Sequence, residues 1–171
     1  DLTMEMADCA GFEGRRTEAL THGKLRGIGI SNTIERAAAP GIEAAEVRYD
    51  RSGAVTLLSG SIDQGQGHET IYKQILCDRL GLKPEDVRYV SGDTDKVAFG
   101  HGTGGSRSAT LGGSAVMLAT EKIVEKAKKI AAHLMEAADA DLEFDEGTFT
   151  VAGTDRTISM AEVAKAAFDL S

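Results

Sequence analysis

Apolar and polar positions along the chain follow two periods. Ala45-Glu46-Val47-Arg48-Tyr49 and Ala54-Val55-Thr56-Leu57-Leu58-Ser59-Gly60 read as strands. The link Asp50-Arg51-Ser52-Gly53 supplies turn residues and a glycine that tolerates positive φ, so the pair predicts a hairpin. From about His68 to Leu80 the residues Ile71, Ile75, Leu76 and Leu80 recur at helical spacing, and Gly81 ends the run. Lys83-Pro84-Glu85-Asp86 predicts one tight turn, and Val87-Arg88-Tyr89-Val90 a short strand. The longest helix is expected from about Ala109 to Ala137, with Val116, Ala119, Ile123, Ala127, Ile130 and Leu134 on one stripe. Leu142-Glu143-Phe144 and Thr148-Phe149-Thr150-Val151 predict a second hairpin, and Ser159-Met160-Ala161-Glu162 a capping box opening the last helix. Upstream, residues 1–20 read as a helix broken at Gly11 and Gly14. Gly23 to Asn32 then reads as a glycine-rich strand, and Ala37 to Gly41 as a loop with Pro40. This order implies an α+β class: a mixed sheet with helices packed on it, in a single fragment spanning 1–171.

Composition narrows the partners. Asp+Glu outnumber Lys+Arg by 27 to 19, a poor match to a polyanion, so no nucleic-acid partner is expected. The apolar runs fall short of the ~20 residues of a bilayer span, so no membrane span is expected. Cys9 and Cys77 stand alone and read as reduced thiols, which implies a cytoplasmic protein. The chain opens on Asp1 already in an apparent helix and stops hardly past another, so it reads as an internal piece of a longer polypeptide.

Two polar, glycine-rich loops each lie between a strand and a helix: Asp63-Gln64-Gly65-Gln66-Gly67, and Ser91 to Ser108. A helix N-terminus has unpartnered N–H groups and partial positive charge, and glycine lets a ligand approach them closely. Both loops are therefore candidate anion or cofactor cradles. Gln64 and Gln66 suit the edge of a heteroaromatic ring. Thr103, Ser106 and Ser108 add hydroxyls, and Arg107 a guanidinium fork for phosphate. The competing reading of each loop is a packing turn. Neither loop is a Walker-type phosphate loop or a dinucleotide fingerprint, and no GxSxG elbow is present. His68 reads as a base, a ligand or a residue bonding its own loop. Asp93-Thr94-Asp95 reads as a capped loop before a cation site.

The stretch GSIDQGQGHETIYKQILCDRLGLKPEDVRYVSGDTDKVAFGHGTGGSRSATLGGSA resembles the molybdopterin-binding large subunit of molybdenum hydroxylases, and FEGRRTEALTHGKLRGIGISNTIERAAAPG resembles the segment before it. The family includes xanthine dehydrogenase, aldehyde oxidase and aerobic carbon monoxide dehydrogenase. QGQGHET and GTGGSRS look most similar to the carbon monoxide dehydrogenase-like branch. The resemblance implies molybdopterin cytosine dinucleotide carrying molybdenum, hydroxylation of CO, an aldehyde or a heteroaromatic with oxygen from water, and iron–sulfur and FAD partner subunits in an oligomeric parent. It implies Gln64, Gly65, Gln66, Gly67, His68 and Thr70 on one side of the cofactor. Thr103, Gly104, Gly105, Ser106, Arg107 and Ser108 would lie on the other, with Asp93 and Thr94 as further candidates. The family's upstream Ala-Tyr-Arg loop and downstream basic Glu are absent from this chain. The expectation is hence part of a cofactor cradle with no catalytic residue and no metal ligand of its own, inactive and cofactor-free in isolation. The alternative is a non-catalytic phosphoanion-binding or protein-interaction module.

Overall fold

A computed structural model describes residues 2–34, 36–37 and 40–169. The chain falls into two units, Asp1–Ile34 and Glu35–Ser171. In the first, α1 (Leu2–Met6) and α2 (Phe12–Thr21) bury no residue. They separate at Gly11, whose N–H donates to Asp8 Oδ1 at 3.0 Å, while Arg15 pairs with the same carboxylate. Gly14, expected as a second break, lies inside α2. The strand expected at Gly23 to Asn32 does not form among the described residues. A strand needs a partner ladder, which periodicity alone cannot supply, and Leu25, Ile28, Ile30 and Ile34 of this stretch are exposed. Asp1, Ala38 and Ala39, which carry parts of the expected first helix and of the expected 37–41 loop, lie outside the described residues, as does the C-terminal pair Leu170 and Ser171.

In the second unit, β1 (Ala45–Tyr49) and β2 (Val55–Ser59) form the expected hairpin, in the register Ala45 to Ser59 and Tyr49 to Val55. Asp50 Oδ1 closes the turn by accepting from the Ser52 N–H at 2.8 Å and the Ser52 hydroxyl at 2.6 Å. From β2 the chain crosses through α3 (His68–Leu80) and a 3₁₀ turn, Pro84–Asp86, to β3 (Val87–Ser91). β3 pairs parallel to β2, Val55 opposite Val87 and Ser59 opposite Ser91. A parallel pair requires such a crossover. The first sheet is thus mixed, in the order β1-β2-β3. Its central strand is buried on both faces, at Val55, Leu57, Leu58 and Ser59.

After a single π turn at Ser108–Gly112, α4 (Gly113–Leu134) runs 22 residues. The expected start at Ala109 falls inside the π turn. Val116, Thr120, Ala127 and Ala131 face inward, and buried Thr120 satisfies its hydroxyl by donating to Val116 O at 2.8 Å. A second, antiparallel sheet consists of β4 (Leu142–Asp145), β5 (Thr148–Val151) and β6 (Thr157–Ser159). The short β6 has no counterpart in the sequence expectation. Ser159 then caps α5 (Met160–Asp169) through the reciprocal bonds of the capping box. One apolar core joins Leu57 of β2, Tyr72 and Leu76 of α3, Val116 of α4, Phe149 of β5 and Val163 of α5. The α+β class with a mixed sheet is borne out.

Candidate functional site

The parallel pair β2 and β3 determines where the site sits. Both strands end at the same level, and each runs into one of the glycine-rich loops. In open sheets, ligands bind beyond the carboxyl ends of parallel strands. There the structure holds an open cleft of about 120 Å³, lined among others by Ser59, Gly60, Ile62, Gly92, Asp93 and Gly102. A larger, mostly apolar groove of about 350 Å³, lined by Val47, Tyr49, Lys126, Ile130 and Val163 among others, contains no residue of either loop.

Backbone packing brings the loops together. Gly60 and Gly100 touch chain to chain: a Cβ built on Gly60 would lie 2.5 Å from Gly100 Cα and 2.5 Å from Phe99 O. The Gly102 N–H donates to Gly60 O at 3.2 Å, and the Thr103 hydroxyl donates to Ile62 O at 2.6 Å. Ser108 Oγ reaches Thr103 Oγ1 at 3.3 Å. Beneath them Tyr72, buried in α3, donates its hydroxyl to Ser108 O at 2.8 Å, and burial pushes that phenol up from its ordinary pKa.

The first loop is organised by Asp63. Its carboxylate accepts from the Gly65 N–H at 2.8 Å and the His68 N–H at 2.9 Å. These backbone bonds, Gly65's foremost, hold its carboxyl below the usual range. Asp63 is therefore the anion at the start of α3. What this loop offers a ligand is its exposed Gln64, Gly65, Gln66 and Thr70. The Gln66 side-chain carbonyl accepts from the Gln64 backbone N–H at 2.5 Å, and Gln66 Nε2 donates to Gln64 Oε1 at 3.5 Å. His68 is buried, stacks on Tyr72 with centroids 5.7 Å apart, and leaves Nδ1 without a partner. The buried stripe of α3 is His68, Tyr72, Leu76 and Leu80; Ile71 and Ile75, expected there, are half-buried.

In the second loop, the Asp93 carboxyl is held low chiefly by Lys96, whose ammonium donates to it at 2.6 Å, and Thr94 is exposed beside it. Gly104, Gly105 and Ser106 form an exposed crest, with Ser106 at φ 51°. Thr103 bonds across to the segment of the first loop, and Ser108 bonds Thr103 within the second. Arg107 is buried, and its fork is turned onto the protein. Nη1 donates to Glu43 Oε2 at 2.8 Å and to Gly102 O at 3.1 Å, and Nη2 to Ile42 O at 2.6 Å. Glu43, just before β1, is the site residue that sequence reasoning missed. A lone acid in Gly-Ile-Glu-Ala-Ala carries no local signal of a partner 64 positions away.

The expected residues thus divide. Gln64, Gly65, Gln66, Thr70, Gly104, Gly105 and Ser106 face solvent, while His68, Arg107 and Ser108 lie beneath them. Side-chain amides, backbone N–H groups and an orphaned buried imidazole nitrogen match a polar heteroaromatic group bearing phosphates. Among the described residues no cluster of His, Cys, Asp and Glu is arranged to hold a metal ion, and no helix is long and apolar enough to cross a membrane.

Paired glycine-rich loops at the ends of parallel strands belong here to a cofactor-binding domain. More particularly, residues 3–171 match the family model of the molybdopterin cofactor-binding domain, and the chain belongs to that family. It is 38% identical over 147 residues to the carbon monoxide dehydrogenase large chain of Afipia carboxidovorans, covering 85% of this chain and 18% of that one. It is 37% identical over 154 residues to the 6-hydroxypseudooxynicotine dehydrogenase complex subunit gamma of Paenarthrobacter nicotinovorans, covering 90% and 19%. Its fold is similar to that of a Cu,Mo-CO dehydrogenase, with TM-score 0.74, 35% identity and 96% of this chain covered against 23% of that one. It is also similar to quinoline 2-oxidoreductase of Pseudomonas putida 86, with TM-score 0.68, 33% identity, 98% covered against 23%. The chain spans about a fifth of the length of the curated relatives it matches. The resemblance read in the two loops is borne out at family level.

Proposed function

We propose that this chain supplies part of the cofactor pocket of a molybdenum hydroxylase. The observation that carries the reading is the convergence of QGQGH and GTGGSRS at one end of the β2–β3 pair, in a chain of this family. Gln64 and Gln66 meet the polar edge of the pterin or its nucleotide, and Gly65 and Gly67 keep their backbone low against it. Thr70 faces the same side. Across the cleft, the crest Gly104-Gly105-Ser106 and the first turn after Ser108 turn neutral N–H groups toward phosphate. Thr103, His68 and Arg107 hold these surfaces in place, and Asp93 and Thr94 form the rim.

The group is molybdopterin cytosine dinucleotide; when bound, it supplies two-electron oxidation at molybdenum, with oxygen from water, toward CO, an aldehyde or a heteroaromatic. The chain's own contribution is binding and orientation. Catalytic residues come from outside it, so the isolated 171-residue chain is inactive and retains no cofactor. The parent is an oligomeric cytoplasmic enzyme that passes electrons to iron–sulfur and FAD partners, in keeping with two free cysteines. The test is Gln64→Ala/Gln66→Ala in the full-length parent, scored by molybdenum content and by CMP released on acid hydrolysis. Both fall together if the reading holds. Unchanged contents would favour a non-catalytic phosphoanion or interaction module.

A further inference from the structure

Arg107 and Glu43 form an ion pair sealed from solvent, with side chains 7% and 1% exposed. Each partner is saturated by backbone as well. Besides Arg107, Glu43 accepts from the Ala44 N–H at 3.1 Å and lies 3.5 Å from Ser61 Oγ. Its carboxylate covers Gly60, where a side chain would collide with it. Arg107 meanwhile holds the carbonyls of Ile42 and Gly102. One pair therefore ties three segments: the lead into β1, the turn after β2, and the loop carrying the exposed crest. A buried pair adds little net stability over an apolar packing, and its best-attested use is to specify one arrangement.

We infer that Glu43 and Arg107 are positioning residues of the cofactor site: they set the height and register of the Gly104-Gly105-Ser106 crest, and Arg107 serves through Glu43 and not as a direct phosphate ligand. This rests on the cofactor-pocket reading above. Its electrostatic corollary is that Glu43 cancels the charge of Arg107, Asp93 that of Lys96, and Glu69 that of Lys73. The site therefore holds phosphate by oriented neutral donors.

The two roles of Arg107 give opposite results for Glu43. If Arg107 bound phosphate directly, Glu43→Gln would leave a cation free for the ligand, and cofactor content would stay or rise. As a positioning pair, Glu43→Gln and Arg107→Lys each lower molybdenum and CMP per full-length subunit about tenfold, the scale typical of supporting-shell losses. The double variant falls no further, because either change breaks the same clasp. Glu43→Asp, which keeps the charge on a shorter arm, restores an intermediate content. In the cofactor-free subunit, amide exchange quickens at residues 100–108 while the β2–β3 ladder keeps its protection, a local signature that general destabilisation does not produce. Wild-type content and exchange in Glu43→Gln, or full content in Arg107→Lys, overturns the inference. Gln66→Ala separates the two levels. If it lowers content and Glu43→Gln does not, only the clasp fails; if neither does, the pocket reading fails with it.

Discussion

Gly60→Ala strains the contact that holds the two loops together and the Glu43 carboxylate that covers it. Gly60 does not sit at positive φ, so alanine meets no backbone conformational penalty there and the effect is steric. The new Cβ would collide with the Glu43 carboxylate and lie 2.5 Å from Gly100 Cα and from Phe99 O, distances real Cβ atoms do not adopt. Gly100 and Phe99 present backbone, which cannot swing aside as a flexible side chain would. Either the end of β2 or the loop at Gly100 has to move, and the Gly102-to-Gly60 bond lengthens with it. Overpacking of this kind costs about 1–3 kcal/mol, and immovable neighbours put Gly60 at the upper end. The matched control is Gly104→Ala, the same chemical change on the crest. A Cβ there meets nothing within 4 Å, and φ is not positive. It is expected to leave stability unchanged or raise it by about 0.4–1 kcal/mol through the unfolded chain. Urea denaturation of the 171-residue chain compares the two at equal slope. A difference under about 0.5 kcal/mol, within the scatter of ordinary surface substitutions, would refute the claim that the loops meet backbone to backbone.

Three further outcomes are expected. Tyr72→Phe removes the donor to Ser108 O and leaves a buried carbonyl short of a partner, a loss of about 1–3 kcal/mol by the same denaturation assay. Leu57→Ala, at the buried centre of the mixed sheet, costs about 2–5 kcal/mol; a loss under 1 would contradict the core described. Asp63 has a folded pKa below its unfolded value, so its contribution is full above about pH 4 and is lost as pH falls through the folded pKa. Asp63→Asn should therefore flatten the acid limb of the stability profile without altering its alkaline limb.

Legibility in the sequence followed locality. The hairpin of β1 and β2, the ends of α3 and the capping box at Ser159 are each coded within a few residues, and all stand as expected. The buried stripe of α3 was misjudged because Tyr72 and His68 are amphipathic. Whether they turn inward depends on Ser108 and on the loop above, 36 residues away in the case of Tyr72. The stretch 23–32 has strand-like residues, but a ladder is a property of two segments and periodicity describes one. At the site, the residue types were legible and their division of labour was not. The guanidinium of Arg107 is legible as a fork for an anion, but its pairing with Glu43 is not. Ion pairs closed across 64 residues have no local signature.

The central claim is that both loops touch one cofactor. A structure of the full-length parent with its cofactor bound tests it most directly. The account predicts cofactor oxygen or nitrogen atoms within about 3 Å of both the Gln64–Gln66 amides and the backbone N–H groups of residues 104–108. A cofactor lying beyond hydrogen-bond reach of either loop would contradict it.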